Sequence, residues 1–334
     1  MRALAAGLAL AGSFLAAPLA AQDTHLVLVV GLSGEGSYKD RFHGWASTIR
    51  EAAVGRLGVA EANVVWLADD TAAAPGKIRD RATLAALRAV VAGIDQRAGA
   101  EDRIVFVLIG HGTERDAKPL FNLTGPDLTA ADFAVMLGAL APRRVAVVNT
   151  ASASGAFVAG LSGPGRTIIA ATRSGRENNE TWFAGFFADA LAQEASDLDK
   201  DGRVSLFEAF EYARAETARY FEEKKLLVTE HAVIDDDGDG QATMEPKPGE
   251  GDGVLANSFF VGGGARTAAA QAAAAADPVL RGLLDEAARL EERIATLRGQ
   301  KDVMPVEEYE GQLETLLVDL ALKNREIRER GGER

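Results

Sequence analysis

The clearest chemical pattern in this chain runs from Asp197 to Glu208. Asp197, Asp199 and Asp201 place carboxylates at positions one, three and five of a twelve-residue loop, and Gly202 at six permits a sharp turn. Arg203 offers a backbone carbonyl at seven, Ser205 stands at nine, and Glu208 at twelve can bind bidentately. Oxygen donors at these offsets wrap a hard divalent cation, so the spacing predicts an EF-hand-type loop with Ca2+ as the cofactor. Apolar Val204 at position eight stands where paired loops make a short strand contact. A second cluster, Asp235, Asp237 and Asp239 followed by Gly240, repeats the first half of the template. Pro246 occupies its twelfth position and Glu245 falls one early, which leaves two readings: a weaker site completed from elsewhere, or a turn-rich loop.

A second constellation lies at two apolar run ends. The run Arg103–Ile109 leads into Gly110-His111-Gly112, and Arg143–Asn149 leads into Thr150-Ala151-Ser152-Ala153-Ser154-Gly155. Function in doubly wound sheets gathers at the carboxyl ends of strands. If these two strands are neighbours, they present an imidazole and a hydroxyl to one crevice. A serine hydroxyl is a weak nucleophile until a base takes its proton, and that base is normally oriented by a carboxylate. Glu114 and Asp116 are the carboxylates near His111 in sequence. The chain has no cysteine, so thiolate attack, thiolate metal ligation and disulfides are all excluded.

The elements that must position these residues follow from the pattern of apolar residues. The runs His25–Val30, Asn63–Leu67, Arg103–Ile109, Arg143–Asn149 and Arg166–Thr172 are β-branched and nearly continuous, as in strands covered on both faces. Amphipathic stretches near 40–57, 83–98, 129–140 and 156–161 alternate with them, which predicts an α/β fold with a mainly parallel sheet and helices on both faces. Helices over 181–194 and 205–225 flank the first Asp-rich loop, and Asn257–Val261 reads as a late strand.

The chain ends divide off by composition. A basic start and a small apolar run give residues 1–21 the build of a signal peptide cut after Ala21, so the expected setting is periplasmic or secreted. Residues 22–262 form the α/β domain with its inserted loops, and the Ala/Gly-rich stretch 263–277 reads as a linker. From 278 to 334, Val279, Leu283, Ala287, Leu290, Ile294 and Leu297, then Tyr309, Leu313, Leu316 and Leu320, recur every three or four residues. That spacing predicts a helical hairpin, which packs on the main domain or self-associates. No later run is apolar enough to span a bilayer, and the net charge of −13 argues against nucleic acid as a partner.

A strand ending in His111-Gly112, followed about forty residues later by Ala151-Ser152-Ala153-Ser154-Gly155, resembles the caspase–legumain group of peptidases. The acidic loops are similar to those of bacterial legumain-like proteins. The resemblance spans roughly residues 24–262 and implies a caspase-like sheet. It also implies His111 as general base and then acid, and the Gly112 and Ser152 amides as an oxyanion hole. Ile168–Arg176 resembles the strand and loop that shape the pocket before the cut, with Arg173 or Arg176 favouring an acidic or polar residue. The departure is at Ser152, which stands where the family has Cys. Three readings of Ser152 follow: a peptidase fold retained for binding, a Ser–His acyl hydrolase, or a serine lining a tight turn. The expectation is a non-catalytic or atypical homologue holding peptide or protein partners, with the serine-type hydrolase as the alternative.

Other signals carry less. Gly31-Leu-Ser-Gly34-Glu-Gly36 departs from nucleotide-binding fingerprints and reads as a tight loop beside the crevice. His25, His43 and His231 lack metal-ligand spacing and read as incidental, and Trp45, Trp66 and Trp182 read as core.

Overall fold

A computed structural model describes residues 22–116, 118–141, 143–198, 203–262, 277–299 and 304–331. Its main sheet starts from strands buried along their whole length: β1 (Thr24–Val30) and β4 (Arg103–Ile109) have no exposed residue. Side chains alternate across a strand, and β1 shows the result directly. Leu26, Leu28 and Val30 join one apolar cluster, while Val27 and Val29 join the other. Two cores therefore sandwich one sheet.

Seven strands lie in the order β10-β9-β8-β4-β1-β2-β3, where β2 is Val64–Ala68, β3 Asp80–Arg81, β8 Arg144–Asn149, β9 Arg166–Ala170 and β10 Val233–Asp235. All neighbouring pairs are parallel except β10 against β9. Helices α1 (Gly36–Glu51), α5 (Phe183–Ala192) and α6 (Leu206–Glu223) cover one face, burying residues such as Phe42, Phe187 and Phe210. On the other face α2 (Leu84–Arg97), α3 (Ala130–Ala139) and α4 (Val158–Leu161) bury Val91, Phe133 and Leu161. The N-caps explain where helices begin: the Thr83 and Thr129 hydroxyls accept the amides of Ala86 and Asp132 at 3.1 and 3.0 Å. The fold is thus the mixed α/β arrangement expected, with the mainly parallel sheet flanked by helices.

Besides the short strands β3 and β10, which the sequence reading did not include, three features depart from it. A small antiparallel sheet, β5 (Gly112–Arg115), β6 (Lys118–Phe121) and β7 (Leu128–Thr129), follows β4. Its strands are short and partly polar, so they leave little apolar signature. Asn257–Val261 is not a strand: Val254–Asn257 forms a helical turn, α7, and the segment makes only an isolated bridge from Phe260 to Ser205. Three apolar residues, Phe259–Val261, fit either state, and the Asp236 carboxylate selects the preceding turn by accepting the amides of Gly253 and Ala256. Finally, α1 continues as a wider turn over Ala52–Arg56.

The tail forms two helices, Pro278–Gly299 and Val306–Gly331, with a cluster of their own around Ile294, Leu297, Tyr309 and Leu316. Lys323 pairs with Glu286 at 2.7 Å, and Arg330 pairs with Asp277 at 2.6 Å. Among the described residues, no helix is long and apolar enough to cross a membrane. Residues 1–21 and most of the expected linker, 263–276, lie outside those described.

Candidate functional site: a crevice at the strand ends and two acidic loops

Strands β4 and β8 are paired in parallel, so His111 and Ser152 leave the sheet at the same edge. The Thr150 amide bonds the Leu108 carbonyl at 2.9 Å and fixes the turn that carries Ser152. Ala153 takes a left-handed backbone, φ 55°. Two glycines are required by close approach: a Cβ at Gly112 would meet the Ser152 carbonyl oxygen at 2.4 Å, and one at Gly155 would meet the Arg173 carbonyl carbon at 2.4 Å. The two glycine positions singled out in the sequence are therefore where the crevice backbones touch.

The Ser152 hydroxyl is buried and held from both sides by one residue. It donates to the Gly112 carbonyl at 3.0 Å and accepts from the Gly112 amide at 3.1 Å. His111 engages other groups. Its ring meets Tyr38 and Phe42 edge-on, with centroids 4.7 and 5.1 Å apart. Burial pushes its pKa down, although a hydrogen bond to the Ser33 backbone and the nearby Glu180 pull the other way, so the imidazole is held toward its neutral form. Arg41 lies over this cluster, 4.9 Å from the Tyr38 ring and 4.6 Å from the Trp182 ring, and pairs with Glu180.

Sequence reasoning missed the group behind His111. Ser33, in the loop after β1, gives its amide (3.0 Å) and its hydroxyl to the Asp69 carboxylate, at the end of β2. His43 of α1 meets the other Asp69 oxygen at 2.9 Å. Burial alone would raise the Asp69 pKa, yet the bonds from His43 and Ser33 outweigh it and bring it down to about 2. Asp69 thus stays ionised and anchors the loop whose backbone meets His111. The strand-end rule applied to Asp69 would have found it. Of the other histidines first read as incidental, His25 pairs with buried Asp102 at 3.0 Å and His231 with Glu177 at 2.6 Å.

Neither carboxylate nominated from sequence reaches this arrangement as an observed partner of His111. The Glu114 side chain lies against Gly175, and Asp116 sits in a left-handed turn. Arg173 and Arg176 are both exposed on the loop after β9; Arg173 is already paired with Glu177 at 2.9 Å. Trp66 is core as expected, whereas Trp45 and Trp182 are only partly buried and face each other near Arg41.

In the first acidic loop, Asp199, Asp201 and Gly202 lie outside the described residues. Asp197 and Glu208 are buried, and the Leu198 amide donates to Glu208 Oε1 at 2.8 Å, which brings the start and end of the loop together as a cation loop requires. Glu208 Oε2 accepts both the amide and the hydroxyl of Ser205, at 2.8 Å each, completing a capping box at the start of α6. That use takes both lone pairs of Oε2. Bidentate binding through Glu208 therefore requires giving up a Ser205 contact. Arg203 stacks on Phe260 at 3.9 Å, and Val204 is buried. The loop exit pairs with Phe260 instead of with the second acidic loop. In that second loop, Asp235, Asp237 and Asp239 bring one ligand atom each to within 4.8 Å of one another.

No protein-family model matches the chain, and no curated protein matches it. Among solved structures, the chain is similar to a secreted C11 cysteine protease from Bacteroides thetaiotaomicron, at 9% identity and a TM-score of 0.39, over 65% of this chain and 67% of that one. At that TM-score the likeness carries no argument about activity.

Proposed function

We propose that this chain is an exported, calcium-binding protein with a caspase/legumain-like fold that lacks the family's cysteine and holds peptide or protein partners in its crevice without cutting them. One observation carries the reading. The Ser152 hydroxyl spends its proton on the Gly112 carbonyl and occupies the Gly112 amide, the donor that an acyl-transfer site would need for its oxyanion. The nucleophile position and half of the expected oxyanion hole thus satisfy each other, while His111 is turned to Ser33 and two aromatic rings. Arg41, Tyr38, Trp182 and Glu180 beside it offer polar and aromatic contacts to a peptide. The closed ends of the Asp197–Glu208 loop support calcium there. The exported setting rests on the composition of residues 1–21.

The second reading is a serine-type acyl hydrolase using Ser152 and His111. The Ser33–Asp69–His43 chain favours it, because it is a buried device that orients a neutral imidazole at a strand end.

Peptide-library cleavage with calcium, comparing wild type, Ser152→Ala and Ser152→Cys, separates the two. The expected result is no cleavage by wild type or Ser152→Ala, with peptides still retained by both. Cleavage by wild type that Ser152→Ala abolishes would overturn the binding role. Activity gained only in Ser152→Cys would show a crevice disarmed at one atom.

A further inference from the structure

The crevice leaves the loop after β10 without a task. Ile234 and Thr243 exchange both backbone hydrogen bonds, at 2.9 and 2.8 Å, and close the segment between them into a tight loop. Gly238 and Gly240 have φ of 84° and 79°, a left-handed backbone that only glycine adopts without strain. A Cβ at Gly238 would also meet the Gly163 carbonyl carbon at 3.1 Å, so the loop is pressed against the turn before β9. This curl brings Asp235, Asp237 and Asp239 together.

Asp237 and Asp239 are exposed, and water screens their repulsion. Asp235 differs. It is 0% exposed, its carboxylate accepts the Ser162 hydroxyl at 2.9 Å through Oδ1 and is also held by the Gly240 amide, and Oδ2 meets no well-aligned donor among the described residues. A buried carboxylate oxygen left unsatisfied beside two like charges is costly. Asp236 and Asp252 do not relieve it. Asp236 accepts the Gly253 and Ala256 amides, and Asp252 accepts those of Asp236 and Asp237.

We propose that Asp235, Asp237 and Asp239 hold a divalent cation of the calcium class, separate from the Asp197–Glu208 loop, and that this cation pins β10 to the turn before β9. An all-oxygen donor set suits calcium over zinc or copper. With no acidic twelfth residue, affinity falls in the weak range of about 10⁻⁴–10⁻³ M. The site reaches beyond itself through one strand. β10 is antiparallel to β9, so its other end lies at the crevice edge, where His231 holds Glu177 and Glu230 accepts the amides of Trp182 and Phe183. Cation binding at one end steadies the crevice loop at the other.

The test is calorimetric titration of the chelator-stripped chain with calcium chloride alone, for wild type, Glu208→Gln and the double variant Asp237→Asn/Asp239→Asn. Both substituted aspartates are exposed, so the double variant keeps its core. The expected result is that the double variant loses one binding event that Glu208→Gln retains. A double variant that titrates like wild type, or a wild type that binds no calcium, would overturn the site. An event lost only in the double variant, with Glu208→Gln unchanged, would uphold this site and remove calcium from the Asp197–Glu208 loop. Hydrogen exchange reads the coupling: calcium should slow exchange at residues 229–236 in wild type and not in the double variant. Equal protection in both would sink it.

Discussion

Gly112 shows how much one residue can decide. Its backbone supplies both partners of the Ser152 hydroxyl, and its missing side chain lets two strand-end backbones meet. Gly112→Ala places a methyl group against backbone oxygens at 2.4 and 3.1 Å, neither of which can turn aside. The expected cost is about 1–3 kcal/mol of stability with loss of crevice binding, measured by urea denaturation and peptide retention. A variant as stable as wild type would show that the clasp is looser than its geometry. His111 and Ser152 were legible in sequence because both follow long apolar strands. The Ser33–Asp69–His43 chain was missed because its members come from a loop, a strand end and a helix, and only Asp69, at the end of β2, carries a local mark.

The loop after β9 and the start of α5 rest on the buried Glu230 carboxyl. Burial drives its pKa up to about 8, against the pull of the Trp182 and Phe183 amides, and Glu177 and Glu180 push it the same way as burial. The folded state therefore binds this proton more tightly than the unfolded chain, whose carboxyl titrates near its ordinary value. Between that value and about pH 8 the unfolded state is the more ionised, so stability falls as pH rises through the window and levels off above it. Glu230→Gln should flatten this part of the pH–stability curve, as read from urea midpoints between pH 5 and 8. An unchanged slope would remove Glu230 as its cause. The longer strands β8 and β9 and the helices around this element were readable because burial on both faces, or on one stripe, leaves a periodic trace, whereas the three residues of β10 were too few to leave one. Segment 257–261 was misread because its three apolar residues, Phe259, Phe260 and Val261, are too few to show a period, and the Asp236 carboxylate holds the helical turn just before it.

For the molecule as a whole, the sheet domain and the tail hairpin have separate apolar clusters. Leu317, Val318 and Leu322 remain exposed on the second tail helix, which favours self-association there. Light scattering on wild type and Leu317→Glu/Val318→Glu should show a larger species only for wild type; identical masses would end that proposal. The two tail helices were readable from the apolar repeat that begins after Asp277, whereas what the hairpin touches leaves no such trace. The Arg330–Asp277 ion pair joins the hairpin's last turn to the residue just before its first helix. A helix of 22 residues at 1.5 Å per residue extends about 33 Å. Cargo fused behind the second helix would therefore emerge beside the point where the tail begins, while anything gripping the opposite tip would be held a full helix length away. The appendage is a folded arm whose reach is set by helix length, and lengthening both helices by whole heptads would extend that reach without changing the seam that holds it together.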